Sequence, residues 1–364
     1  MLPLIGERAT AVLVGPSAGE RRAILDAPLD RGSFERHLGA WTSLFDRVEV
    51  TPPPRALPAP EGAVRIAFWN AERGKFLEPS ARLLGSTGAA AHLLVELDVG
   101  MARSGQRHTA RELARRLDAG CAFAVEFLEL GLGDAKERQW HAGEVNRQGL
   151  HGAAILSPHR LERPAVVRLE TQGGWFDGER GERRLGGRIA VLATLRIGGV
   201  PVTLASVHLE SHSDPAGRAA QTLVLLDAID AYAPDQPVLI GGDFNTCTID
   251  RTWARGTGAK PVLDPTRLLD PVAHEPLFEA MAGRGYDFER CNTLGVATQR
   301  TRPDGTPAPP LGRIDWFFSR GLLATEPATI AAVDQGGTAI SDHEVLVLTI
   351  SPKPTAEVMP VPSC

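Results

Sequence analysis

The residues best suited to chemistry lie near the C-terminal end of the chain. Asp342 and His343 are adjacent in ISDHEVLVLTIS, residues 340–351, just before an apolar run that predicts a buried strand. A chain that only builds a core has no reason to place a carboxylate and an imidazole there. The pKa of an unperturbed histidine lies close to neutrality. His343 is therefore a candidate for proton transfer.

Other predicted strands also end in polar side chains. Each of these residues alone is common in turns or on solvated surfaces, but ends of different strands can converge at one rim of a sheet sandwich. The set comprises Asn70, Glu96, Asp98, His208, Asp243, Asn245 and Asp315. Two glycines before Asp243 in GGDFN indicate tight backbone space beside it. Together with Asp342 and His343, these residues would bring hard oxygen donors and two imidazoles to one site.

Short apolar runs recur through the chain and predict the strands that position these residues. They are VRIAFWN (64–70), HLLVELD (92–98), CAFAVEFLEL (121–130), GAAILS (152–157), PVLIGGDFN (237–245), RIDWFFS (313–319), ATIAAVD (328–334) and HEVLVLTIS (343–351). Residues 188–210 predict two further strands joined by a hairpin turn at Gly198-Gly199. Near-continuous apolar runs are typical of strands that are covered on both faces.

Two helices have clear start signals. Thr109 and Glu112 form a capping-box pattern, with Gly120 as a suitable stop, and Asp214 followed by Pro215 starts a second helix. Many strands with few helices in mixed order predict an α/β (α+β) fold. The expected architecture is a four-layer sandwich, in which two mixed β-sheets pack face to face with helices on the outside.

Composition suggests how the chain is divided. Its 364 residues are 43% hydrophobic and 23% charged, as in an ordinary globular protein. The stretch TPPPRALPAPEG, residues 51–62, holds five prolines and predicts a connector. We therefore expect an N-terminal appendage of unknown role over 1–50, a catalytic domain over 63–353 and a tail over 354–364.

Charge and cysteine content narrow the function classes. The net charge of −5 gives no support to a broad nucleic-acid surface. The four cysteines lack zinc-site spacing, which suggests free thiols in a reducing compartment. Neither a signal peptide nor a transmembrane run of roughly 20 apolar residues is evident. These features predict a cytoplasmic protein, and they leave its oligomeric state unknown.

Seven stretches in combination resemble the endonuclease/exonuclease/phosphatase superfamily. They are FWNAERG, VELD, HGAAILS, SVHLES, GGDFNT, RIDWFFS and SDHEV, which span about residues 64–351. The superfamily includes apurinic-site endonucleases, pancreatic-type deoxyribonucleases, neutral sphingomyelinases and inositol polyphosphate 5-phosphatases. The resemblance implies a Mg²⁺-dependent hydrolase, with Mn²⁺ as a plausible substitute, that cleaves a phosphodiester or phosphomonoester by in-line attack of water.

The resemblance also implies roles for individual residues. His343 matches the general base, Asp315 the carboxylate that orients it, and Asp342, Glu96 and Asn70 the metal ligands. Asp243 would align the attacking water or the leaving oxygen, and Asn245 would donate to a nonbridging phosphate oxygen. His208 matches a phosphate-contacting histidine of the nuclease, sphingomyelinase and 5-phosphatase branches, which apurinic-site endonucleases lack.

Some positions depart from the family pattern or suggest specificity. Val95 replaces the usual glutamine before Glu96, and Leu150-His151 replaces a tyrosine of some nucleases. His151 is a candidate phosphate donor or a packed histidine. Arg103, Arg107 and His108 are predicted in a loop after Glu96, either as phosphate contacts or as solvated charges. Trp175 and Phe176 are predicted either to stack on a base or touch a lipid, or to pack within a hairpin tip.

Three substrate classes remain open: nucleic acid, a lipid headgroup and a small phosphorylated metabolite. One alternative is a nuclease acting on single-stranded or nicked nucleic acid, because the charge argues against extended duplex DNA. A different class is a non-catalytic binding protein on the same fold. All eight motif residues are present, which favours catalysis because a retired enzyme would be expected to have lost at least one.

Overall fold

A computed structural model of the chain describes residues 5–180, 182–246, 266–300 and 312–353. Two β-sheets pack face to face and helices cover their outer surfaces, which confirms the predicted sandwich. The strands are β1 (Ile5–Gly6), β2 (Arg8–Thr10), β3 (Arg47–Thr51), β4 (Val64–Arg73), β5 (Ala91–Val99), β6 (Gly120–Glu129), β7 (Leu150–Ser157), β8 (Glu162–Arg168), β9 (Arg184–Gly186), β10 (Ile189–Ile197), β11 (Val200–His208), β12 (Val238–Asp243), β13 (Asp315–Arg320), β14 (Leu322–Ile330) and β15 (Val345–Pro352). The helices are α1 (Ala18–Asp26), α2 (Arg31–Ala40), α3 (Thr42–Phe45), α4 (Leu77–Ser86), α5 (Thr109–Arg116), α6 (Ala135–Trp140), α7 (Pro215–Tyr232), α8 (Thr266–Leu269) and α9 (Leu277–Gly283).

The first sheet has the strand order β1-β8-β10-β11-β12-β13. Strands β10 and β11 form the predicted hairpin, whose turn glycines Gly198 and Gly199 both have positive φ angles of 56° and 79°. Helix α7 then crosses over the sheet, so that β12 pairs parallel to β11. Its start is as predicted, because the Asp214 side chain accepts a hydrogen bond from the Gly217 N–H.

The second sheet has the order β14-β15-β4-β5-β7-β6-β3-β2, and β9 pairs with β6. Its central strands β4 and β5 are parallel, and each has a break in register, after Asn70 and after Leu94. Glu72, Arg73 and Glu96 lie at these breaks with positive φ angles of 43°, 72° and 56°. Such bulges redirect side chains that a regular strand would point to alternate faces. They occur here at the end of the sheet that carries the candidate site.

One core cluster lies between the sheets, where Phe68 of β4 meets Phe317 of β13 edge to face. On the outer faces, α4 and α5 cover the second sheet, while α7 and α9 cover the first. Leu113 and Leu225 are fully buried examples of these two coverings. No helix within the described ranges is both long and apolar enough to cross a membrane.

Residues 5–51 belong to the sandwich, and the prediction of a separate appendage over 1–50 is wrong. Strand β1 pairs with β8 of the first sheet, and β3 pairs with β6 of the second. Phe34 of α2 packs against Phe176, with ring centroids 5.7 Å apart. The N-terminal strands are short and carry charged residues, so their strand signals in the sequence are weak. The Pro-rich stretch joins β3 to β4, and the tail over 354–364 lies outside the described residues.

Helix α5 exists where it was predicted, but its cap is a different residue. The Nδ1 atom of His108 accepts a hydrogen bond from the Arg111 N–H, at the position expected for Thr109. The Thr109 hydroxyl instead accepts from the Asp98 N–H and donates to the Asp98 carbonyl. The helix ends at Arg116, and Gly120 begins β6 rather than stopping the helix.

Candidate active site

Strand pairing brings the predicted polar residues to one rim. In the parallel pair β11/β12, His208 lies beside Asp243, and in the antiparallel pair β12/β13, Asp243 lies beside Asp315. Asn70, in β4 of the facing sheet, donates a hydrogen bond to Asp243 at 3.0 Å. His343 directly precedes the β15 region and reaches the same carboxylate from the other side.

His343 and Asp315 form a buried pair. The His343 Nδ1 atom lies 3.0 and 3.1 Å from the two carboxylate oxygens of Asp315. The backbone of His343 is held by the Trp69 indole, which donates to its carbonyl, and by the Ser341 hydroxyl, which accepts its N–H. With Nδ1 bound to Asp315, the Nε2 atom points into the cleft, 3.8 Å from Asp243 Oδ2. This is the geometry of a base with an orienting carboxylate.

The electrostatic environment of His343 is strongly negative. Burial by itself lowers the pKa of the imidazole, but the carboxylates of Asp315, Asp342 and Asp243 raise this pKa well above the usual value. The Asp342 Oδ1 atom is 3.9 Å from Nε2. In the protein alone, His343 therefore tends to hold its proton.

His208 faces the same carboxylate from the opposite direction and has an acidic partner of its own. Its Nε2 atom lies 3.7 Å from Asp243 Oδ2, and its Nδ1 atom lies 3.2 Å from Glu126. Arg188 lies 2.5 Å from the other oxygen of Glu126 and 3.0 Å from both ring nitrogens of His208. Burial raises the pKa of Glu126, but His208 and Arg188 outweigh burial and lower it to about 2.

Glu126 and Arg188 were absent from the sequence prediction. Glu126 has a sequence signal, because it is a charged residue inside the apolar run CAFAVEFLEL, and a buried charge needs a partner. Its side chain is completely buried at the bulge of β6. Arg188 follows two glycines at the start of β10, and nothing in its local sequence identifies its partner 62 residues earlier.

Asp243 is fixed at the centre of the rim. Its two oxygens accept hydrogen bonds from the Asn70 side chain and from the Asn245 N–H. Asn245 has a positive φ of 49°, and its side chain donates to the Leu209 carbonyl. The tight space predicted from GGDFN is present, because a Cβ atom on Gly242 would lie 2.7 Å from the Val207 carbonyl oxygen.

Glu96, Asn70 and Asp342 are the residues of the predicted metal site. Glu96 lies on the β5 bulge with one oxygen 4.0 Å from His208 Nε2, and Arg73 contacts the other oxygen. The Asp342 N–H donates to Glu72, whose pKa is raised by burial and by the charge of Asp342. The donors are hard oxygens, and after burial, the charge of Asp342 is the next largest cause of the raised pKa of Glu72, so two carboxylates lie close together here. Both features fit a divalent cation such as Mg²⁺.

A tighter group offers a different metal site on distance alone. Asp243, Asp315 and His343 each have a ligand atom within 4.8 Å of the others. However, Asp315 and His343 are already hydrogen-bonded to each other through Nδ1. A cation held by this group would compete with that hydrogen bond, whose geometry is that of a base and its orienting carboxylate.

The structure does not bring Arg103 and His151 to the rim. The Arg103 side chain is 1% exposed, and its guanidinium binds Asp98, Glu129 and Glu137. His151 lies 2.8 Å from the same Asp98 carboxylate. Since every terminal nitrogen of Arg103 already has a carboxylate partner, the prediction that Arg103 lies in a loop and contacts phosphate is wrong. His151 is likewise a packed histidine and not an open phosphate donor.

His108 is bound to other residues and does not have the predicted contact with phosphate, and Arg107 fits the predicted alternative of a solvated charge. His108 is 2.6 Å from Glu49 and caps α5. Arg107 is exposed, and its carbonyl accepts a hydrogen bond from the Gly100 N–H. Trp175 and Phe176 are both buried, the packed alternative of the two predicted, and the Trp175 indole donates to Glu210.

The chain matches the sequence profile of the Endonuclease/Exonuclease/phosphatase family over residues 69–343. It belongs to this family. The match covers the described strand-end residues from Asn70 to His343, and it confirms the resemblance seen in the seven motifs. No curated protein shows significant sequence similarity to the chain.

Solved structures of the family share the fold at low identity. An endonuclease/exonuclease/phosphatase from Beutenbergia cavernae DSM 12333 is 18% identical, covers 80% of this chain and 72% of its own, and gives a TM-score of 0.54. The human Nocturnin catalytic domain with bound sulfate anion is 17% identical, with coverage of 83% and 99% and a TM-score of 0.53. A family member from Bacteroides vulgatus is 14% identical, with coverage of 80% and 100% and a TM-score of 0.52.

Proposed function

We propose that the protein is a metal-dependent phosphoesterase that hydrolyses a phosphodiester or phosphomonoester with water. The observation that supports this most directly is the arrangement of two histidine–carboxylate pairs around Asp243. His343 and His208 approach Asp243 Oδ2 to 3.8 and 3.7 Å, and each has a buried carboxylate behind it. A binding protein has no need for two such pairs. Family membership supports the same reaction class.

His343 activates the attacking water in this proposal. Its Nε2 atom accepts the proton of the water, while Asp315 keeps the proton on Nδ1 and stabilises the imidazolium that forms. Asp243 lies next to Nε2 and accepts a hydrogen bond from the same water, which aligns it with the phosphorus atom. In-line attack then expels the leaving oxygen on the opposite side.

His208 and Asn245 serve the phosphate. The Nδ1 atom of His208 lies beside Glu126 and its Nε2 atom lies near Asp243, where it contacts a nonbridging oxygen of the phosphate. One N–H of the Asn245 amide donates to the Leu209 carbonyl, and its second N–H donates to a second nonbridging oxygen. Donors that are placed before the charge develops stabilise the transition state at little reorganisation cost.

Glu96, Asn70 and Asp342 would hold Mg²⁺ or Mn²⁺. The ion supplies positive charge for the phosphate oxygens and for the leaving oxygen. The three ligands provide only oxygen donors, and magnesium keeps several waters in such sites. Dialysis against EDTA should abolish turnover, and Mg²⁺ or Mn²⁺ should restore it. Full activity after chelation, or rescue by Zn²⁺ alone, would contradict the proposal.

A panel of phosphoesters tests the reaction and separates the substrate classes. It contains plasmid DNA, single-stranded DNA, RNA, bis-p-nitrophenyl phosphate, inositol phosphates and sphingomyelin, each with Mg²⁺ and with Mn²⁺. The His343→Ala variant is the control for contaminating nucleases and phosphatases. We expect wild-type hydrolysis of at least one substrate, and hydrolysis of single-stranded or nicked nucleic acid alone would select the nuclease alternative. No His343-dependent hydrolysis across the panel would favour a binding protein on this fold.

We also propose that extended duplex DNA is not the substrate, and that the protein acts in the cytoplasm. The net charge of −5 provides no general attraction for a polyanion. Arg103, one of the cations predicted to contact phosphate, is paired with buried carboxylates instead. Binding of His343→Ala to a 20-base-pair duplex across a salt series checks the first point. Sub-micromolar affinity at physiological salt, with a slope reporting about six or more neutralised phosphates, would overturn it.

A further inference from the structure

Arg73 and Glu96 come together from two neighbouring bulges. Arg73 lies at the break in β4 and Glu96 at the break in β5, and both have positive φ angles. The Arg73 guanidinium contacts Glu96 Oε2, while Glu96 Oε1 faces His208 in the cleft. The pair is largely enclosed, with side-chain exposures of 18% and 17%. A positive φ is costly for a non-glycine residue, so two adjacent ones suggest that the contact is built for a purpose.

Arg73 is itself held from behind by a buried acidic residue. Its Nε atom lies 3.7 Å from Glu137 Oε1, and the other oxygen of Glu137 accepts from Arg103 at 3.1 Å. Arg103 in turn is fixed by Asp98 and Glu129. This series of ion pairs leads from the interior of the second sheet to the rim and ends at Glu96.

We propose that Arg73 is a positioning residue that restricts Glu96 to a single ligand oxygen, Oε1, for the divalent cation. The proposal rests on the cation site assigned above, because it concerns how Glu96 acts as a ligand. Arg73 occupies Oε2, so Glu96 cannot chelate a cation with both oxygens while the contact persists. The guanidinium charge also lies close to the cation site, where it reduces the affinity for a second positive charge. The contact with Arg73 thereby lowers the affinity for the cation and fixes the position of the Glu96 ligand oxygen.

A positioning role and a purely structural role predict opposite changes in cation affinity when Arg73 is replaced. Loss of a purely structural arginine would loosen Glu96 and weaken cation binding together with activity. Loss of a positioning arginine removes a repelling charge and frees the second oxygen, so cation binding becomes tighter. Activity nevertheless falls, because a freed carboxylate no longer holds the cation in the productive place.

Direct Mn²⁺ binding provides a readout that does not depend on turnover. The dissociation constant of the intact chain is measured by electron paramagnetic resonance of free Mn²⁺, in the wild type and in Arg73→Met. We expect the Kd of Arg73→Met to fall by about three- to tenfold, from removal of one nearby charge in a partly screened site. We expect kcat to fall by about tenfold or more on the best substrate of the panel, from the lost ligand geometry.

Arg184→Met is the matched control. Arg184 is buried in the same network, 3.4 Å from Glu129, and its removal changes the net charge by the same amount without a contact to Glu96. Its Mn²⁺ affinity should stay within about twofold of the wild type, because more distant charges are better screened. If Arg73→Met does not fold, Arg73→Gln removes the charge with a polar side chain, and the same tightening is expected. In a Glu96→Gln background, Arg73→Met should tighten binding less than it does in the wild type, because the charge is removed but no second carboxylate oxygen is freed.

Each outcome decides the matter. Tighter Mn²⁺ binding with lower kcat in Arg73→Met, absent from Arg184→Met, supports the proposal. Unchanged or weaker binding in Arg73→Met overturns it and leaves Arg73 as a structural residue. Lack of Mn²⁺ binding by the wild-type protein overturns the cation site itself, and this inference with it. The two failures are therefore distinguishable.

Discussion

The two histidines at the rim have similar distances to Asp243 and very different surroundings. His343 is paired with Asp315 and is also close to Asp342 and Asp243, all of them carboxylates. His208 also has three carboxylates nearby, Glu126, Asp243 and Glu96. It differs in that Arg188 binds Glu126 and contacts the imidazole as well. The surroundings of His343 are therefore negative throughout. Around His208, the charge of Arg188 balances part of the negative charge of the carboxylates.

This difference indicates a division of labour. A base must gain a proton during the reaction, and surrounding carboxylates favour the protonated form that results. A phosphate-binding histidine must coexist with an anion, and an adjacent arginine makes that site more tolerant of negative charge. We propose that the two histidines have different roles despite their similar distances to Asp243, and each role can be tested separately.

Removal of each imidazole gives the largest expected effects. His343→Ala should lower kcat by about 10³-fold, since a positioned proton-transfer group is commonly worth about 10²–10⁴-fold. His208→Ala should lower it by about 10²-fold, since loss of one contact to a charged oxygen of the transition state commonly costs about 10²–10³-fold. Steady-state kinetics on the best substrate of the panel, with saturating Mg²⁺, measures both. Thermal unfolding of the two variants controls for misfolding. A larger loss for His208→Ala than for His343→Ala would reverse the assignment of base and phosphate ligand.

Asp315 and Glu126, the carboxylates bound to the two histidines, should differ in their effects: loss of Asp315 should lower activity, and loss of Glu126 should lower stability more. Asp315→Asn should lower kcat by about tenfold or more, and its effect should not add to that of His343→Ala, because base and orienter act as a unit. Full additivity in the double variant would show that the two side chains act independently. The measurement is kcat for both single variants and the double variant under identical conditions.

Glu126→Gln should affect stability more than Asp315→Asn does. It leaves the buried Arg188 charge with Glu210 as its remaining carboxylate partner, and breaking a buried pair costs about 3–5 kcal/mol. Urea unfolding of the two variants checks this, with equal denaturant slopes as the control for an unchanged unfolded state. Equal losses of unfolding free energy would mean that Arg188 does not depend on Glu126, contrary to the balanced pair described here.

The strand-end rule found most of the rim from sequence but failed wherever a bulge intervened. His208, Asp243 and Asp315 end or begin regular strands, and Asn70 is the last regularly paired residue before the bulge of β4, so the hydrophobic runs beside them place them correctly. After the bulge at Glu96, the side chain of Asp98 is buried and binds Arg103. A shift of one residue exchanges the two faces of a strand, and no local pattern in VELD reveals it.

Partners of buried charges were the second failure. Glu126 with Arg188, and Arg103 with Glu129, are joined across sheet neighbours far apart in sequence. A charge in an apolar strand signals that a partner exists, but its identity depends on strand order and register. The residues around Asp243 can therefore be predicted from the sequence. The buried charged residues that support them are identified only by the structure.

The smallest predicted effect concerns the pKa of His343. In the protein without cation, burial lowers this pKa, and Asp315, Asp342 and Asp243 raise it well above the usual value. A raised folded-state pKa stabilises the protein at pH values below the ordinary pKa, and that contribution is lost as pH rises through the folded value. Because Asp342 is a proposed cation ligand, Mg²⁺ should offset part of this field and lower the pKa of His343.

Nuclear magnetic resonance titration of the histidine ring carbons, with and without Mg²⁺, measures this shift. Asp342→Asn is the matched variant, because it removes one carboxylate of the field and one proposed ligand together. In that variant we expect a lower starting pKa for His343 and a smaller response to Mg²⁺. An unchanged pKa on Mg²⁺ addition to the wild type would place the cation away from the base. The carboxylates would then keep the pKa of His343 raised throughout the reaction. The difference in role between the two histidines would depend on Asp315 and Arg188 alone.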